Sequence, residues 1–153
     1  MAALGLDRVL TGNLVLVRVD TVLLLVPLDG LGAAFYLDQE PAPTELPGLF
    51  RIGGGEQRRL VVAPSRGLRP LSRYPSERFV MTQVAFDGNE IFVAWSEMKV
   101  LIDARLQLRS LPPLLADPDS PFDGYVMFDG RPAFHSTAHQ VVDFIFSGVG
   151  PDD

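Results

Sequence analysis

His135 and His139 are the chain's only histidines and stand four residues apart. On a helix this spacing places both rings on one face, where they could bind zinc. The sequence instead predicts that a helix begins between them, with Thr137 as its N-cap, so that His135 lies at the end of a strand. A third ligand would have to come from a carboxylate such as Asp143. We therefore expect no metal site and interpret both histidines as surface or capping residues.

Other catalytic motifs are also missing from the sequence. No serine lies in a Gly-x-Ser-x-Gly elbow. The carboxylate pairs Asp117/Asp119 and Glu97/Asp103 could suggest a glycosidase, but Asp117 and Asp119 both adjoin Pro118, where Asp is typical of turns. Gly53-Gly54-Gly55 lacks the spacing of a phosphate-binding loop, and the absence of cysteine excludes thiolate zinc sites and cysteine nucleophiles. We expect neither an enzyme nor a bound cofactor.

Arginine is concentrated in one segment of a chain whose formal net charge is -6. The acidic balance argues against general nucleic-acid binding, because attraction to phosphate needs a basic surface. Between Gln57 and Arg78, however, only Glu77 is acidic. This local excess of positive charge fits either a solvated loop or a docking surface for an acidic protein, since arginine is enriched at protein interfaces. The arginines of the segment are Arg58, Arg59, Arg66, Arg69, Arg73 and Arg78.

The strongest strand signal runs from Phe79 to Trp95, FVMTQVAFDGNEIFVAW. Asp87–Glu90 at its centre provides the positive backbone dihedrals of a tight hairpin turn. Residues alternate between the two faces of each arm, and both faces are mostly apolar. The pattern predicts a hairpin that is covered on both sides, in a closed barrel or beneath a second layer. We expect the following side chains to be buried: Val84, Phe86, Phe92 and Val93.

Further strands, turns and one helix are predicted from the same kinds of sequence pattern. Asn13–Pro27 reads as two strands with a break near Asp20-Thr21, and a second hairpin turns at Asp129-Gly130. Thr137 and Gln140 have capping-box spacing, which predicts one helix up to Phe146. About eight to ten short strands separated by turn residues indicate an all-β barrel or a pair of barrels.

The length of 153 residues is typical of one domain. We expect a single domain over residues 1–153, with its ordered part at about 13–146. The N-terminus lacks a basic region followed by an apolar stretch, and no apolar run approaches the ~20 residues of a membrane span. We expect a cytoplasmic protein with no direct membrane insertion.

Several of these segments resemble the CheW-like chemotaxis adaptor family. The first two strands, which end in Val26-Pro27-Leu28-Asp29, are similar to the family's opening strand pair, and Pro43 and Pro47-Gly48 match the Pro-rich connection after it. The segment 66–71, Arg-Gly-Leu-Arg-Pro-Leu, is similar to the family's Arg-Gly-x-x-x-Pro-Val stretch. It differs by having two residues between Gly67 and Pro70, and by having Ser72 or Arg73 where an Asp usually follows.

The resemblance implies a mainly β fold in which two small five-stranded β-barrels pack over a shared core, with a short C-terminal helix. It also implies a bacterial signal-transduction adaptor, without enzymatic activity, that couples a chemotaxis histidine kinase to a transmembrane receptor. The alternative is a small-ligand-binding β-barrel, which an enclosed apolar pocket of ~300 Å³ or more would favour. The candidate partner-binding residues are Arg66, Gly67, Leu68, Arg69 and Arg73.

Overall fold

The computed structural model describes residues 8–37, 40–46, 48–52, 59–75, 77–86, 88–112 and 120–147. Within these ranges the protein is mainly β, as expected, with one α-helix and a 3₁₀ turn at Leu28–Gly30. No helix of the described ranges is long and apolar enough to cross a membrane. The elements are β1 (Arg8–Val19), β2 (Val22–Pro27), β3 (Ala34–Tyr36), β4 (Ala42–Pro43), β5 (Phe50–Ile52), β6 (Arg59–Val62), β7 (Val80–Phe86), β8 (Asn89–Trp95), β9 (Glu97–Leu108), β10 (Gly124–Phe128), β11 (Arg131–His135) and α1 (Ala138–Phe146).

The first barrel, barrel A, is a five-stranded sheet in the order β10-β11-β2-β1-β9. It closes where Arg109, just after β9, meets Tyr125 of β10. Each N–H donates to the other residue's carbonyl, at 2.8 and 2.9 Å. Side chains of its own strands fill the interior, among them Leu14, Leu25, Leu108 and Val126.

The second barrel, barrel B, has six strands where the resemblance implied five, in the order β3-β7-β8-β6-β5-β4. It curls around a separate cluster that includes Phe50, Met81 and Phe92. Phe35 of β3 meets the Phe92 ring edge-on, with ring centroids 5.4 Å apart. This geometry suits aromatic quadrupoles and fixes the edge strand on the sheet.

A third cluster, the shared core, lies between the two barrels. Barrel A contributes one face of β1, with Val15, Val17 and Val19, and barrel B contributes Val93 and Trp95 of β8. Successive strand residues point to opposite faces, so these strands bury one face in a barrel and the other in the shared core. Helix α1 packs its apolar side chains against the same cluster: Val141, Val142 and Ile145.

The central hairpin is confirmed, and its turn is tighter than expected. Phe86 pairs with Asn89, so residues 87 and 88 connect the arms in place of the four residues Asp87–Glu90. Gly88 has φ 81°, while Asp87 lies outside the described residues. Burial on both faces is also confirmed, for the side chains of Val84, Phe92 and Val93. Phe86 was also expected to be buried, but its side chain lies outside the described part of the protein.

The remaining predicted turns and the helix are confirmed as well. Asp20 breaks the first strand pair with φ 56°, and Asp129-Gly130 has φ values of 50° and 79°, as a type I′ hairpin requires. Thr137 caps α1, its Oγ1 accepting the Gln140 N–H at 3.1 Å. Strand β1 already begins at Arg8, ahead of the ordered part expected from residue 13.

Candidate partner-docking surface

Residues Pro64–Pro70 form a small loop that we call the Arg66 hairpin. Its two ends are bridged, and the Ser65 N–H donates to the Arg69 carbonyl at 2.8 Å. The Leu68 N–H closes the turn on the Ser65 carbonyl at 2.9 Å, and the Arg69 N–H donates to Ser65 Oγ at 3.2 Å. Five backbone groups of the loop are therefore satisfied within it, which orders its tip.

Leu68 anchors this hairpin in the protein. Its φ of 60° lies in the left-handed region, which is unusual for a bulky residue. The side chain is only 3% exposed and belongs to the shared core. Leu68 therefore offers no side chain to a partner, although it stood among the candidate binding residues. Its contribution is to position the residues on either side.

Gly67 is exposed and needs no special backbone conformation. A Cβ added there would meet only Ser65 Oγ, at 4.0 Å, and its φ is outside the left-handed region. The bare backbone at the tip is therefore not required for folding. The absence of a side chain at Gly67 leaves space in which another chain could approach the backbone closely.

The three candidate arginines all lie on the surface. Arg66 occupies the tip of the hairpin, and the Arg69 guanidinium lies 5.5 Å from the centroid of the Phe144 ring on α1. At this distance a cation is attracted to the ring face, so Arg69 ties the hairpin to the helix. A groove of about 510 Å³ beside this contact is lined by Arg69, Asp143 and Phe144 among others. Arg73 follows the hairpin.

Arg78 fits neither interpretation of the arginine-rich segment, the solvated loop or the docking surface, because it lies inside the protein. It is 2% exposed, and its guanidinium donates to Asp20 Oδ1 at 2.7 Å and Oδ2 at 3.3 Å. The same group donates to Ser96 Oγ at 3.1 Å and to the Pro64 carbonyl at 2.8 Å, while its Nε has no partner. A buried cation needs such partners, because removing it from water is costly. Arg78 thereby connects the β1–β2 turn, the β8–β9 corner and the base of the Arg66 hairpin.

The contact with Arg78 lowers the pKa of the Asp20 carboxyl. Its hydrogen bonds with the Arg78 guanidinium hold the Asp20 pKa below the ordinary value of 3.8, against a smaller opposing effect of burial. The charges of Arg66 and Arg18 lower the pKa a little further. The Asp20 N–H also donates to Ser96 Oγ at 2.9 Å. Asp20 thus stays ionised and serves as the main counter-charge of Arg78.

The histidine expectation needs a partial correction, because His135 is buried rather than superficial. Its Nδ1 lies 2.6 Å from Asp123 Oδ1, and Arg8 donates to the other oxygen of Asp123 at 2.8 Å. Burial raises the pKa of Asp123, but the hydrogen bonds and charges of His135 and Arg8 outweigh it and leave the pKa lowered. His139 is exposed on α1. Among the described residues no group of three or more potential ligands could hold a metal ion.

The hydroxyl of Ser136, which follows His135, already has a hydrogen-bond partner. Ser136 Oγ donates to the Pro121 carbonyl at 2.6 Å, so it is oriented by the fold and directed at a backbone acceptor. The cluster of Arg8, Asp123 and His135 joins the start of β1 to β10 and β11. Its contacts are those of a structural cluster at the end of barrel A.

Sequence patterns could have found only part of this site. The turn residues around Arg66 were visible from Pro64, Gly67 and Pro70. The burial of Arg78 was not, because an arginine that enters a core has the same local sequence as one that stays outside. The only available signal was Asp20 in a predicted turn, and its pairing with Arg78 spans 58 residues.

Comparison with known proteins agrees with this architecture. No model of a protein family matches the sequence, and no curated protein matches it. Among solved structures, the scaffolding protein TtCheW from Thermoanaerobacter tengcongensis is similar, with a TM-score of 0.59 and 10% sequence identity. The match covers 86% of this chain and 92% of that chain. This chain therefore shares the fold of a CheW scaffolding protein, with two packed β-barrels and a short C-terminal helix.

Proposed function

We propose that the protein is a non-enzymatic adaptor of a bacterial chemotaxis-type signalling assembly. In this function it binds a histidine kinase, a receptor or both in the cytoplasm, and the Arg66 hairpin is one of its docking surfaces. The observation that carries the proposal is the hairpin itself. Its tip exposes Arg66 and Gly67, while Leu68 and Arg78 fix its base in the protein.

Such a surface suits protein recognition for a physical reason. A loop that is already ordered loses little conformational entropy on binding. The exposed arginines Arg66, Arg69 and Arg73 present positive charge in an acidic chain, which would steer an acidic partner to this face. The fold shared with a scaffolding protein supports the same conclusion.

The interiors of the barrels favour the adaptor over the ligand-binding alternative. Each is occupied by its own apolar side chains, including Leu25 in barrel A and Met81 in barrel B, both with no exposed surface. A groove of about 770 Å³ beside Leu46 and Leu60 is open to solvent. It does not enclose a ligand in the way that a binding barrel does.

Affinity capture tests the proposal. Tagged wild-type protein, Arg66→Glu and Gly67→Gln would each be incubated with lysate of the native cells, and the captured proteins identified by mass spectrometry. We expect the wild type to recover a histidine kinase or a chemoreceptor. Arg66→Glu replaces attraction with repulsion, and Gly67→Gln fills the bare tip, so both variants should bind the purified partner at least about tenfold more weakly, ~1.4 kcal/mol.

Arg109→Glu is the matched control, because Arg109 is an exposed arginine on barrel A. It should keep wild-type affinity. All variants should melt near the wild type, since exposed substitutions usually change stability by less than ~0.5 kcal/mol. High salt should reduce wild-type affinity, because exposed charges are screened over ~10 Å. Recovery of no signalling protein, or equal affinity for all variants, would contradict the proposal.

A further inference from the structure

The base of the Arg66 hairpin contains two prolines. Pro64 and Pro70 face each other there, and neither has an N–H to donate across the gap. The bonds that join the two arms are made by neighbouring residues, one of them from the Leu71 N–H to the Ala63 carbonyl at 2.9 Å. The Pro64 carbonyl takes part in neither of these bonds. It therefore needs a partner from outside the hairpin.

The Pro64 carbonyl finds this partner in Arg78, shortly before β7. One terminal nitrogen of the guanidinium, Nη2, donates to the Pro64 carbonyl at 2.8 Å and to Asp20 Oδ2 at 3.3 Å. The other, Nη1, donates to Asp20 Oδ1 at 2.7 Å and to Ser96 Oγ at 3.1 Å. One side chain therefore binds acceptors from segments that are distant in the chain.

These contacts depend on the forked shape of arginine. A guanidinium presents its N–H donors in a fixed plane, so it can bond acceptors on two sides at once. A lysine ammonium is a single point of charge. At position 78 it would stay with the carboxylate of Asp20, because a charged acceptor attracts it more strongly than a neutral carbonyl does. The Pro64 carbonyl would then lose its partner.

The loss of this partner would move one arm of the hairpin. Pro64 is buried, and a buried carbonyl without a hydrogen bond is unfavourable, so the arm that starts at Pro64 would shift until this carbonyl reaches water. The arm beyond the tip would stay attached, since Leu68 lies in the shared core and Arg69 contacts Phe144. Arg66 lies between the two arms, so its direction would change.

We propose that Arg78 is a positioning residue of the docking surface, and that its forked shape rather than its charge holds the Arg66 hairpin in the conformation that binds a partner. Asp20 has a different role, because its carboxylate balances the buried charge. The effect of Arg78 on docking rests on the function proposed above. The ordering of the hairpin does not, so it can be measured separately.

Amide hydrogen exchange tests the ordering in the free protein. Arg78→Lys keeps the charge but should lose the Pro64 contact, so the hydrogen-bonded N–H groups of Ser65 and Leu68 should exchange at least about tenfold faster than in the wild type. Asp20→Asn is the matched control. It also breaks the ion pair and lowers stability, but it leaves Arg78 bonded to Pro64, so the same N–H groups should exchange at close to the wild-type rate.

Binding tests the consequence for docking, with the partner recovered by affinity capture. Arg78 is 2% exposed, so Arg78→Lys alters no group on the surface. It should nevertheless bind at least about fivefold more weakly than the wild type, because the hairpin must be ordered on binding. Asp20→Asn removes a negative charge close to Arg66. It should bind an acidic partner at least as tightly as the wild type does, although it is less stable.

Two results would overturn the positioning role. One is exchange of the hairpin N–H groups that is equal in wild type and Arg78→Lys, or equally accelerated in Arg78→Lys and Asp20→Asn. The other is wild-type affinity in Arg78→Lys. If circular dichroism shows that Arg78→Lys does not fold, Arg78→Gln combined with Asp20→Asn tests the same contact and leaves no charge unpaired. Failure to recover a partner would contradict the proposed function alone, since the exchange rates are measured without one.

Discussion

Asp20 and Asp129 hold the same left-handed backbone conformation in two tight turns, with φ 56° and 50°. Asn also tolerates this conformation, so Asp→Asn removes a charge from either turn without straining it. Only Asp20 faces a buried cation, the guanidinium of Arg78. The two positions therefore separate the effect of the turn from the effect of the ion pair.

We expect Asp20→Asn to destabilise the protein clearly. Breaking a fully buried pair usually costs ~3–5 kcal/mol. This variant should cost less, because the Asp20 side chain is 40% exposed and its contact is screened by water, and because Arg78 keeps Ser96 and the Pro64 carbonyl as partners. Chemical denaturation measures the difference. Asp129→Asn is the matched control and should stay within ~0.5 kcal/mol of the wild type. Equal stabilities for the two variants would show that the ion pair contributes nothing.

The same carboxylate predicts a pH dependence. The Asp20 pKa is lowered in the folded state, so its stabilising effect is complete well above the ordinary value of 3.8 and is lost as the pH falls toward the folded pKa. The stability difference between wild type and Asp20→Asn should therefore shrink between pH 7 and about pH 3. Denaturation curves across this range measure it. A difference that does not change with pH would contradict the lowered pKa.

At the scale of elements, two positions of the central hairpin predict unequal costs for the same substitution. Phe92 is 4% exposed inside barrel B, whereas Phe79, just before β7, is 53% exposed. Phe92→Ala should cost ~3–5 kcal/mol through lost burial and a cavity. Phe79→Ala should cost much less, because its ring is already half in water. Thermal melts of both variants measure this, and a Phe92→Ala variant that melts with the wild type would contradict the burial.

Elements set by local chemistry could be predicted from the sequence. Both Asp-Gly hairpins and the Thr137 cap depend on residues close in the chain, where φ preference and side-chain reach decide the outcome. The length of β9 could not be predicted, because its pairing with β1 passes through a bulge that Asn13 stabilises from a distant strand. The burial of Leu68 could not be predicted either, because the shared core that receives its side chain is built from residues distant in the chain. Its left-handed φ is tolerated where the shared core receives the side chain.

For the whole molecule, the shared core predicts that both barrels unfold together. Trp95 lies in this core and donates from Nε1 to Thr82 Oγ1 at 2.9 Å. Its fluorescence should therefore change at the same temperature as the far-ultraviolet circular dichroism, as expected for a two-state domain. Two separate transitions would show that the barrels are independent units, against the expectation of a single domain.

The connectivity of the barrels also determines an order of assembly. Barrel B draws all its strands from one continuous part of the chain, β3 to β8. Barrel A pairs β2 with β11 in parallel, Leu23 beside Ala133, and therefore joins the two ends of the sequence. Contacts so distant along a chain form slowly. During synthesis, β1 and β2 can pair with each other early, but β2 must wait for β11 of the last hairpin, so barrel B can be complete while barrel A is still open.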